Sequence, residues 1–292
     1  MTGRRRLVRV PASSANLGPG YDVLAAALQL ILEVEVEETG EFSVEASGLD
    51  IPLDRSNLIV EAFESLKPAD GFAFRISSEI PLARGLGSSA AAIVAGLVAA
   101  DHLFELALSR QELLERATTL EGHPDNVAAA IYGGFVICVT EAGRPVAARF
   151  DPPGGIEGVL VIPSEEVPTT QARAAIPGDI PLSDAVANIG AASMLVLGLR
   201  DADLDLIERG LTDRIHQPRR ASLFPRSMEL VESAKEVGAI GASISGAGPT
   251  VLVWVNWQET GQVVEALKQR AEGWAEVVRV PFAALGADVP EL

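Results

Sequence analysis

Cysteine and basic residues are scarce in this sequence of 292 residues. Cys138 is the single cysteine, so an intrachain disulfide, a cysteine zinc cluster and a Cys-x-x-Cys redox pair are all excluded. Lys and Arg together number 23 against 40 for Asp and Glu, which gives a formal net charge of −17. Because a field of that sign repels a polyanionic backbone, the composition argues against a nucleic-acid partner.

Long uninterrupted hydrophobic segments are also missing. The apolar window at residues 90–100 is shorter than a bilayer span and contains glycine, and the opening MTGRRRLVRV lacks the apolar core of a secretion signal. Together with the single cysteine, these absences predict a cytoplasmic protein with no membrane partner. The 48% of hydrophobic residues is enough to fill the core of one large or two ordinary domains.

Hydrophobic periodicity predicts strands and helices in mixed order. The predicted strands are residues 7–10, 31–38, 42–46, 72–76, 135–140, 158–162, 251–255 and 274–280. The predicted helices are residues 57–66, 88–104, 111–121, 123–132, 182–199, 204–212, 226–237 and 259–271. Without strict alternation of strand and helix, this order indicates an α+β fold. The breaker cluster DPPGG at residues 151–155 predicts a boundary between domains 1–155 and 156–292.

Residues 81–91, PLARGLGSSAA, carry the clearest functional signal. The two glycines let the backbone approach a ligand closely, and the Ala-rich helix that follows offers unpaired N–H groups with a partial positive charge. Ser88 and Ser89 add hydroxyls that can bind phosphate or magnesium. The segment therefore predicts a nucleotide-phosphate-binding loop and a kinase that uses ATP.

Other interpretations of this loop are weaker. A P-loop requires Lys followed by Ser or Thr after its second glycine, and neither is in place. GLGSSA fits a dinucleotide fingerprint formally, but Pro81 interrupts the approach of a strand, and Asp101 lies near the end of a helix. A plain glycine-serine turn that starts a helix would be favoured if the loop stood alone.

Two further loops change that balance. Residues 11–22, PASSANLGPGYD, are dense in hydrogen-bonding groups, and Asn16 with Asp22 could hold a polar ligand that carries an amine or a hydroxyl. Residues 243–250, SISGAGPT, form another glycine loop directly before a strand. Either loop alone is compatible with a simple turn, so their significance lies in the combination.

The three loops in this order resemble the signature motifs of the GHMP kinases, the superfamily of galactokinases, mevalonate kinases and homoserine kinases. The chain is most similar to the homoserine kinase family, and the likeness covers nearly its whole length. It rests on RVPASSANLGPGYDVL, PLARGLGSSAA, EGHPDNVAAAIYGGF and SISGAGPT, and more particularly on TTQARAAIP and DRIHQPRR. It implies an N-terminal domain like ribosomal protein S5 domain 2, a C-terminal ferredoxin-like α/β sandwich, and an active site in the cleft between them.

The same resemblance implies where ATP and Mg²⁺ bind. Loop amides from Gly85 to Ser89 would cradle the phosphates, while Ser89 and Glu121 would bind the magnesium that bridges them. Asn57 is placed near the adenine, although a helix N-cap explains this residue equally well. The implied nucleotide-binding residues are Asn57, Pro81, Leu82, Ala83, Arg84, Gly85, Leu86, Gly87, Ser88, Ser89, Ala90 and Ala91.

An amino-acid alcohol presents an ammonium, a carboxylate and a hydroxyl to its kinase. By resemblance, Asp22 would pair with the ammonium, and Arg173 and Arg220 would clamp the carboxylate through their forked donors. Arg220 is preferred to its neighbour because it is the second residue after a proline, as in the family's Pro-x-Arg pattern. The implied substrate-binding residues are Asn16, Asp22, His123, Asn126, Arg173 and Arg220, and the implied catalytic residues are Glu121, Asn126 and Arg173.

The position of Asn126 bears on the mechanism. Some GHMP kinases place an aspartate general base near the reacting hydroxyl, but an amide cannot take a proton at neutral pH. Asp125 is adjacent and is expected to point elsewhere. We therefore expect catalysis by positioning and electrostatic stabilisation, with the hydroxyl proton leaving to the γ-phosphate or to water.

The resemblance implies an ATP:L-homoserine O-phosphotransferase (EC 2.7.1.39) that makes O-phospho-L-homoserine on the route to threonine, and it is compatible with a homodimer. The nearest alternative is another small-molecule kinase of the mevalonate type, since mevalonate also has a carboxylate; Asp22 favours a substrate with an ammonium group. A non-catalytic ligand-binding relative is a second alternative. The intact glycine loop, Ser89 and Glu121 argue against it.

Overall fold

The computed structural model describes residues 3–291. Its strands are β1 Arg5–Ala15, β2 Leu24–Glu38, β3 Ser43–Ala46, β4 Phe72–Ser78, β5 Phe135–Glu141, β6 Arg144–Phe150, β7 Ile156–Pro163, β8 Gly241–Ile244, β9 Val251–Asn256 and β10 Ala275–Val280. Its helices are α1 Leu58–Glu64, α2 Ser88–Phe104, α3 Arg110–Glu121, α4 Asp125–Tyr132, α5 Thr169–Ala174, α6 Leu182–Asp201, α7 Leu204–Gly210, α8 Gln217–Arg220, α9 Pro225–Ser233 and α10 Thr260–Ala271. Two 3-10 turns lie at Ala221–Leu223 and Ala234–Val237.

The first sheet has the order β3-β4-β2-β5-β6, with β1 paired to β2. In β2 the alternating sequence LEVEVE at residues 32–37 buries Val34 and Val36 completely and leaves its three glutamates half-buried. This is the period-2 pattern of a sheet with one face on the core. The Ala-rich helix α2 packs against α1 and β1, and this contact sets the glycine loop at its N-terminus beside the end of β1.

The second sheet has the order β10-β7-β9-β8, and each of its pairs is antiparallel. Helices α9 and α10 pack against it around a smaller cluster of buried aliphatic side chains that includes Val251, Val253 and Val263. Two sheets, each packed against helices, confirm the predicted α+β fold class.

The chain after β10 returns to the first sheet. The backbone N–H of Arg9 donates to Asp288 O at 3.0 Å, and the N–H of Ala283 donates to Ala27 O at 2.8 Å. Phe282 packs against Trp254 of the second sheet, with ring centroids 5.3 Å apart. The two sheets therefore share one large core, and the division into domains 1–155 and 156–292 stays a prediction, although β7 begins at Ile156.

Several long elements match their predictions, including α2 and the capping box of α3. In that box Ser109 accepts from the N–H of Glu112 and Glu112 Oε2 accepts from the N–H of Ser109 at 2.8 Å. Residues 11–15, predicted as loop, are instead the end of β1, because Ala12–Ala15 pair with Ala25–Leu28 on the buried side of the sheet. Strand β6 and the short helices α5 and α8 were not predicted, since segments this short depend on tertiary packing.

Helix α6 corrects the expectation that apolar segments are too short to span a bilayer. It has 20 residues with a mean hydropathy of 1.5, which by length and composition is enough, and 28% of its most apolar window is buried. The prediction considered unbroken apolar runs, whereas α6 contains Ser, Gly and Asn among its aliphatic residues. Its Asn188 donates to Pro19 O at 3.0 Å and to Asp213 Oδ1 at 2.7 Å, so the helix is bonded into the fold on that side.

Candidate active site

The glycine loop is enclosed by the other two predicted loops. Gly87 is the N-cap of α2 with φ 68°, and a Cβ there would overlap Ser13 Oγ of β1. Gly85 has φ 76°, and its Cβ would overlap the carbonyl of Ser245. Both positions therefore require glycine for their φ and for the close approach of a neighbouring loop.

Hydrogen bonds join the three loops into one cluster. Asn16 Nδ2 donates to Gly246 O at 2.8 Å, and Ser245 Oγ donates to Gly85 O at 2.6 Å. Ser13 N donates to Leu86 O at 3.1 Å, which ties the end of β1 to the glycine loop. Segments that are far apart in the sequence thus meet at the N-terminus of α2, as the sequence predicted.

An apolar cavity of about 280 Å³ lies on one side of the glycine loop, between β2, α1, β4 and α2. Its lining includes Ile51, Asn57, Ile76, Ile80, Leu82, Ala83, Ser88 and Ser89. A flat heteroaromatic ring suits such a surface, because it can bury both faces against aliphatic side chains.

A polar cavity of about 80 Å³ lies on the other side of the same loop. Its lining includes Asn16, Asp22, Gly85, Gly87, Ser88, Ser89, Glu121, His123, Asp125, Asn126, Arg173 and Arg220. Ser88 and Ser89 line both cavities. A nucleotide with its base in the apolar cavity would therefore lay its phosphates across the loop and direct the last one toward the polar side.

Ser89 and Glu121 form an oxygen-rich pair at the N-terminus of α2. Ser89 Oγ donates to Glu121 Oε2 at 2.6 Å, and burial raises the pKa of Glu121 although this hydrogen bond opposes the shift. Residues 3–291 contain no group of three or more His, Cys, Asp or Glu able to hold a metal ion. A hydroxyl and one carboxylate nevertheless fit Mg²⁺, which commonly takes its other ligands from water and substrate phosphates.

His123, Asp125 and Asn126 lie together at the start of α4. Asp125 Oδ1 is 3.2 Å from His123 Nδ1 and accepts from the N–H of Asn126 at 2.8 Å, and this hydrogen-bonded contact raises the pKa of His123. Asn126 Oδ1 accepts from Ser13 Oγ at 2.9 Å. The expectation that Asp125 points elsewhere is wrong: its side chain is buried and lines the polar cavity, where its contacts with His123 and the N–H of Asn126 hold it.

Asp22 and Arg173 both line the polar cavity and are bonded to each other. Arg173 Nη2 donates to Asp22 Oδ1 at 2.7 Å and Nη1 donates to Asp22 Oδ2 at 3.0 Å, while Tyr21 Oη accepts from Nη1 at 3.0 Å. Arg173 comes from α5, one of the helices that was predicted as loop. The two groups predicted to bind the opposite charges of the substrate thus neutralise each other in this structure.

Arg220 is only 2% exposed and makes no ion pair with any residue between 3 and 291. Its Nε donates to Ala172 O at 2.9 Å, its Nη1 donates to Gly246 O at 3.1 Å, and its Cζ lies 5.4 Å from the ring centre of Tyr21. Burial lowers its pKa. Because a buried guanidinium is unfavourable without a counter-ion, this position suits an anionic group of a ligand. Neighbouring Arg219 instead pairs with Asp184 at 3.2 Å.

Three of the predicted nucleotide-binding positions are engaged elsewhere. The Arg84 side chain donates to Ser164 O at 2.7 Å and pairs with Glu166 at 3.0 Å, so it links the loop to the second half of the chain. Ala90 and Ala91 are buried in the core, and the N–H of Ala91 donates to Gly87 O at 2.9 Å within the helix. The backbone N–H groups that remain available to bind phosphate therefore precede Ala91.

Asn57 is a helix N-cap, one of its two predicted roles, and its place beside the adenine stays a prediction. Its Oδ1 accepts from the N–H of Ile59 at 3.0 Å, which makes it the N-cap of α1, and its Nδ2 donates to Pro52 O at 2.8 Å. The residue also lines the apolar cavity. Since both ends of its side-chain amide already form hydrogen bonds, a ligand in this cavity would contact Asn57 through van der Waals packing or through its backbone.

Sequence reasoning did not single out Ser13, Tyr21 and His216. Ser13 bonds Asn126, Tyr21 packs over Arg220, and the buried His216 lies behind Arg220. All three lie inside motifs that were recognised, PASSANLGPGYD and DRIHQPRR, but no local pattern distinguishes them from their neighbours. Their significance depends on contacts across long sequence separations.

The fold and the loop cluster together define a class of protein. Residues 57–134 match the family described as GHMP kinases N terminal domain, and residues 195–273 match GHMP kinases C terminal. Among curated relatives, a homoserine kinase of Thermus thermophilus is 41% identical over 263 residues, 88% of this chain and 89% of that protein. The homoserine kinase of Desulfitobacterium hafniense is 38% identical over 268 residues, 89% of this chain and 90% of that protein. The chain belongs to the homoserine kinase family of the GHMP kinases.

Solved structures agree with this assignment. The homoserine kinase of Cytophaga hutchinsonii superposes with a TM-score of 0.88 at 30% identity, covering 98% of this chain and 97% of that one. The mevalonate kinase of L. major has a TM-score of 0.72 at 17% identity, covering 97% and 96% of the two chains, and shares the fold.

Proposed function

We propose that the protein is an ATP:L-homoserine O-phosphotransferase (EC 2.7.1.39) that phosphorylates the side-chain hydroxyl of L-homoserine in threonine biosynthesis. The observation that carries this proposal is Arg220, a buried guanidinium with no carboxylate partner among residues 3–291. It lies in a cavity that also holds Asp22. A ligand with one carboxylate and one ammonium would satisfy both groups at once. The relatives named homoserine kinase support this choice of substrate.

Substrate binding would replace the ion pair between Asp22 and Arg173 with ion pairs to the substrate. Arg173 now forms a two-pronged pair with Asp22, and both side chains are about one-third exposed. The substrate ammonium would take the place of Arg173 at Asp22, and the freed Arg173 would join Arg220 at the substrate carboxylate. Asn16, His123 and Asn126 line the remainder of the cavity and would orient the hydroxyl end.

ATP would bind with its adenine in the apolar cavity and its phosphates on the amides from Gly85 to Ser89. We propose that Ser89 Oγ and Glu121 Oε2, 2.6 Å apart, hold Mg²⁺ with ATP. The ion would neutralise charge on the phosphates as the phosphoryl group transfers. The other contribution to catalysis would come from residues that position the substrate hydroxyl in line with the terminal phosphate.

We further propose that no side chain acts as an essential general base. Asn126 cannot take a proton at neutral pH, and its Oδ1 already accepts from Ser13 Oγ. Asp125 lines the cavity, but its Oδ1 contacts both His123 Nδ1 and the N–H of Asn126. The hydroxyl proton would leave to the γ-phosphate or to water. A kcat pH profile with a basic group that disappears in Asp125→Asn would contradict this mechanism, whereas Asn126→Ala should lower turnover and still bind ATP.

The substrate is tested by coupled ADP release with homoserine, mevalonate, galactose and threonine. The expected result is activity on homoserine. Activity on mevalonate without homoserine would favour the mevalonate-type alternative. Arg220→Met should raise the KM for homoserine at least about thirtyfold, since removing a buried charged hydrogen-bond partner costs about 2 kcal/mol or more. Arg219→Met is the matched control, because Arg219 pairs with Asp184 outside the cavity, and neither variant should change the KM for ATP.

We propose a homodimer formed through α6. The outward face of this helix carries Leu182, Val186 and Ile189, which are 79%, 59% and 66% exposed, with Leu197 about two turns beyond. No charged residue lies between Asp184 and Arg200, so two copies of a chain with net charge −17 could meet there without direct repulsion. In an antiparallel pair the small residues Gly190 and Ser193 would allow close approach, and Arg200 would face the first turn of the partner helix.

Light scattering on the purified protein tests this assembly. A dimer is expected for the wild type and a monomer for Ile189→Asp. Leu285→Asp, at a residue 77% exposed elsewhere, is the control that should stay dimeric. A monomeric wild type, or one that sediments with neutral lipid vesicles through α6, would refute the proposal.

We also propose that the protein works in the cytoplasm. Its single cysteine lies in the core, and burial raises the pKa of the Cys138 thiol to about 12. A buried thiol that stays protonated is a poor nucleophile, and it cannot form the disulfides that are typical of proteins in oxidising compartments. Fractionation of cells with an antibody against the protein would test the location.

A further inference from the structure

A buried polar network lies behind Arg220 and has no part in the function proposed so far. At its centre is Asp213, whose side chain is fully buried. Its Oδ1 accepts from Asn188 Nδ2 at 2.7 Å and from the N–H of Ile215 at 2.8 Å. Its Oδ2 accepts from the N–H of His216 at 3.0 Å and of Gln217 at 2.7 Å. The carboxylate therefore fixes the backbone at the start of α8, the helix that ends at Arg220.

The His216 ring connects this network to the substrate cavity on two sides. Its Nε2 is 2.7 Å from Gly18 O, and its Nδ1 is 3.3 Å from Arg220 Nη1. Asp213 Oδ2 is farther from Nε2, at 3.5 Å. Gly18 belongs to the same loop as Asn16 and Asp22, so one imidazole spans the gap between the loop and the arginine.

The partners of the ring define its protonation. A guanidinium can only donate and a carbonyl oxygen can only accept, so Nδ1 must offer its lone pair to Arg220 and Nε2 must carry the proton toward Gly18. Burial lowers the pKa of His216, so the ring is neutral. An imidazolium would turn an N–H toward Arg220 Nη1 and lose this contact.

We propose that His216 is a positioning residue for the phosphoryl acceptor, and that its neutral Nε2–H tautomer orients Arg220 against the loop that carries Asn16 and Asp22. The proposal rests on the proposed function, in which Arg220 binds the substrate carboxylate. Arg220 has three other contacts: Ala172 O, Gly246 O and the face of Tyr21. Tyr21 belongs to the same loop as Gly18 and contacts Arg220 through its ring face, whereas His216 supplies a hydrogen-bonding side-chain nitrogen to Arg220 and reaches that loop through Gly18 O.

Two substitutions separate positioning from packing. In His216→Asn the side-chain oxygen can replace Nδ1 as the acceptor for Arg220, whereas in His216→Gln the amide N–H can replace Nε2 as the donor to Gly18 O. If the contact with Arg220 sets the substrate site, Gln should raise the KM for homoserine about tenfold or more, and Asn should raise it clearly less. The KM for ATP should not change in either variant. His102→Asn, at an exposed histidine, is the control that should behave as wild type.

Equal effects of Asn and Gln on the KM for homoserine, or an equal rise in the KM for ATP, would indicate a packing role and overturn the proposal. A double-mutant cycle with Arg220→Lys gives a second measurement: the effect of His216→Gln should largely disappear in that background, because it acts through the arginine. If the wild type phosphorylates another substrate and not homoserine, the proposed function fails while the same variants remain testable with that substrate.

The tautomer can be measured without substituting His216. The chain has three histidines, so the imidazole ¹⁵N spectrum at neutral pH is simple, and the signals lost in His102→Asn and His123→Asn leave the third assigned to His216. The expected pattern for His216 is a protonated Nε2 and an unprotonated Nδ1. A doubly protonated ring, or the Nδ1–H tautomer, would overturn the proposal even if the variants failed to fold.

Discussion

At the scale of single residues, Glu121 carries its charge where water solvates it poorly. Its pKa is raised by burial, so the folded state disfavours the carboxylate relative to the unfolded chain. This cost is absent below the ordinary pKa of a glutamate and fully present above the raised pKa, so at neutral pH it destabilises the ligand-free protein. The poor solvation of the carboxylate destabilises the ligand-free fold, and it also strengthens the attraction of this carboxylate for a cation.

Glu121→Gln should therefore leave the fold intact and remove the activity. The amide oxygen can still accept from Ser89 Oγ, and no charge is buried. We expect the free energy of unfolding at pH 7 to equal that of the wild type or exceed it by on the order of 1 kcal/mol, and the difference to vanish near about pH 4. Urea titrations at both pH values, without nucleotide, provide the measurement. A variant less stable than wild type at pH 7 would mean that the charge is paired in the folded state.

Gly87 shows how tightly the phosphate loop is enclosed. A Cβ there would overlap Ser13 Oγ and lie 3.1 Å from Asn126 Oδ1, and its φ of 68° disfavours other residues. Gly87→Ala should thus destabilise the protein by about 1–3 kcal/mol and raise the KM for ATP, because the loop amides would shift. Chemical unfolding and steady-state kinetics measure the two effects.

The matched control is Gly143→Ala. That glycine also has a positive φ, 80°, but nothing lies within 4 Å of its added Cβ. It should show a loss of stability of about 1 kcal/mol from strain alone, with an unchanged KM for ATP. If the two variants lost ATP affinity equally, the enclosure of Gly87 by Ser13 would be irrelevant to nucleotide binding.

At the scale of elements, α1 depends on Asn57 at its N-terminus. The side chain accepts from the N–H of Ile59 and donates to Pro52 O, so Asn57→Ala removes a cap and a buried hydrogen bond. We expect a loss of about 2 kcal/mol for Ala, and about half of that for Asn57→Ser, which keeps the cap. Thermal unfolding with and without ATP measures both. A tenfold rise in the KM for ATP in both variants, with little loss of stability, would instead favour direct recognition of adenine.

The elements also show where sequence reasoning works. Helix α2 and its glycine loop were predicted because composition, loop chemistry and helix signals agree over residues 81–104. The end of β1 was missed because PASSA is a sequence of turn formers locally, and only its pairing with Ala25–Leu28 makes it a strand. Helix α5 has six residues and was missed for the same kind of reason.

In the candidate site, too, local sequence features could be predicted and long-range contacts could not. The types of residue needed for phosphate, metal and a charged amino acid could be predicted from motifs and resemblance. Their partners could not, because the pairs Asp22–Arg173, Ser13–Asn126 and Arg220–His216 are side-chain geometries. Asp125 illustrates the limit, since one turn of α4 decides whether it faces the cavity or the solvent.

At the scale of the whole molecule, the last segment of the chain binds the two sheets together. Phe282 follows β10 and packs between Phe135 of the first sheet, at 4.8 Å between ring centres, and Trp254 of the second, at 5.3 Å. The neighbouring Ala283 bonds to Ala27 through the backbone. The polar cavity is lined by residues from both halves of the chain, so its geometry depends on the contacts of Phe282 and Ala283 that hold the two sheets together.

We therefore expect the two halves to unfold as one unit, and Phe282→Ala to weaken both equally. Removing a buried phenylalanine costs about 3–5 kcal/mol, and in a two-state protein that loss moves the whole transition. Calorimetry should give one peak with equal calorimetric and van't Hoff enthalpies for wild type and variant, at a lower temperature for the variant. Leu285→Ala, at an exposed site on the same segment, should leave the transition in place. Two peaks, with only one of them moved by Phe282→Ala, would mean that each sheet folds alone and that the cleft between them is free to open.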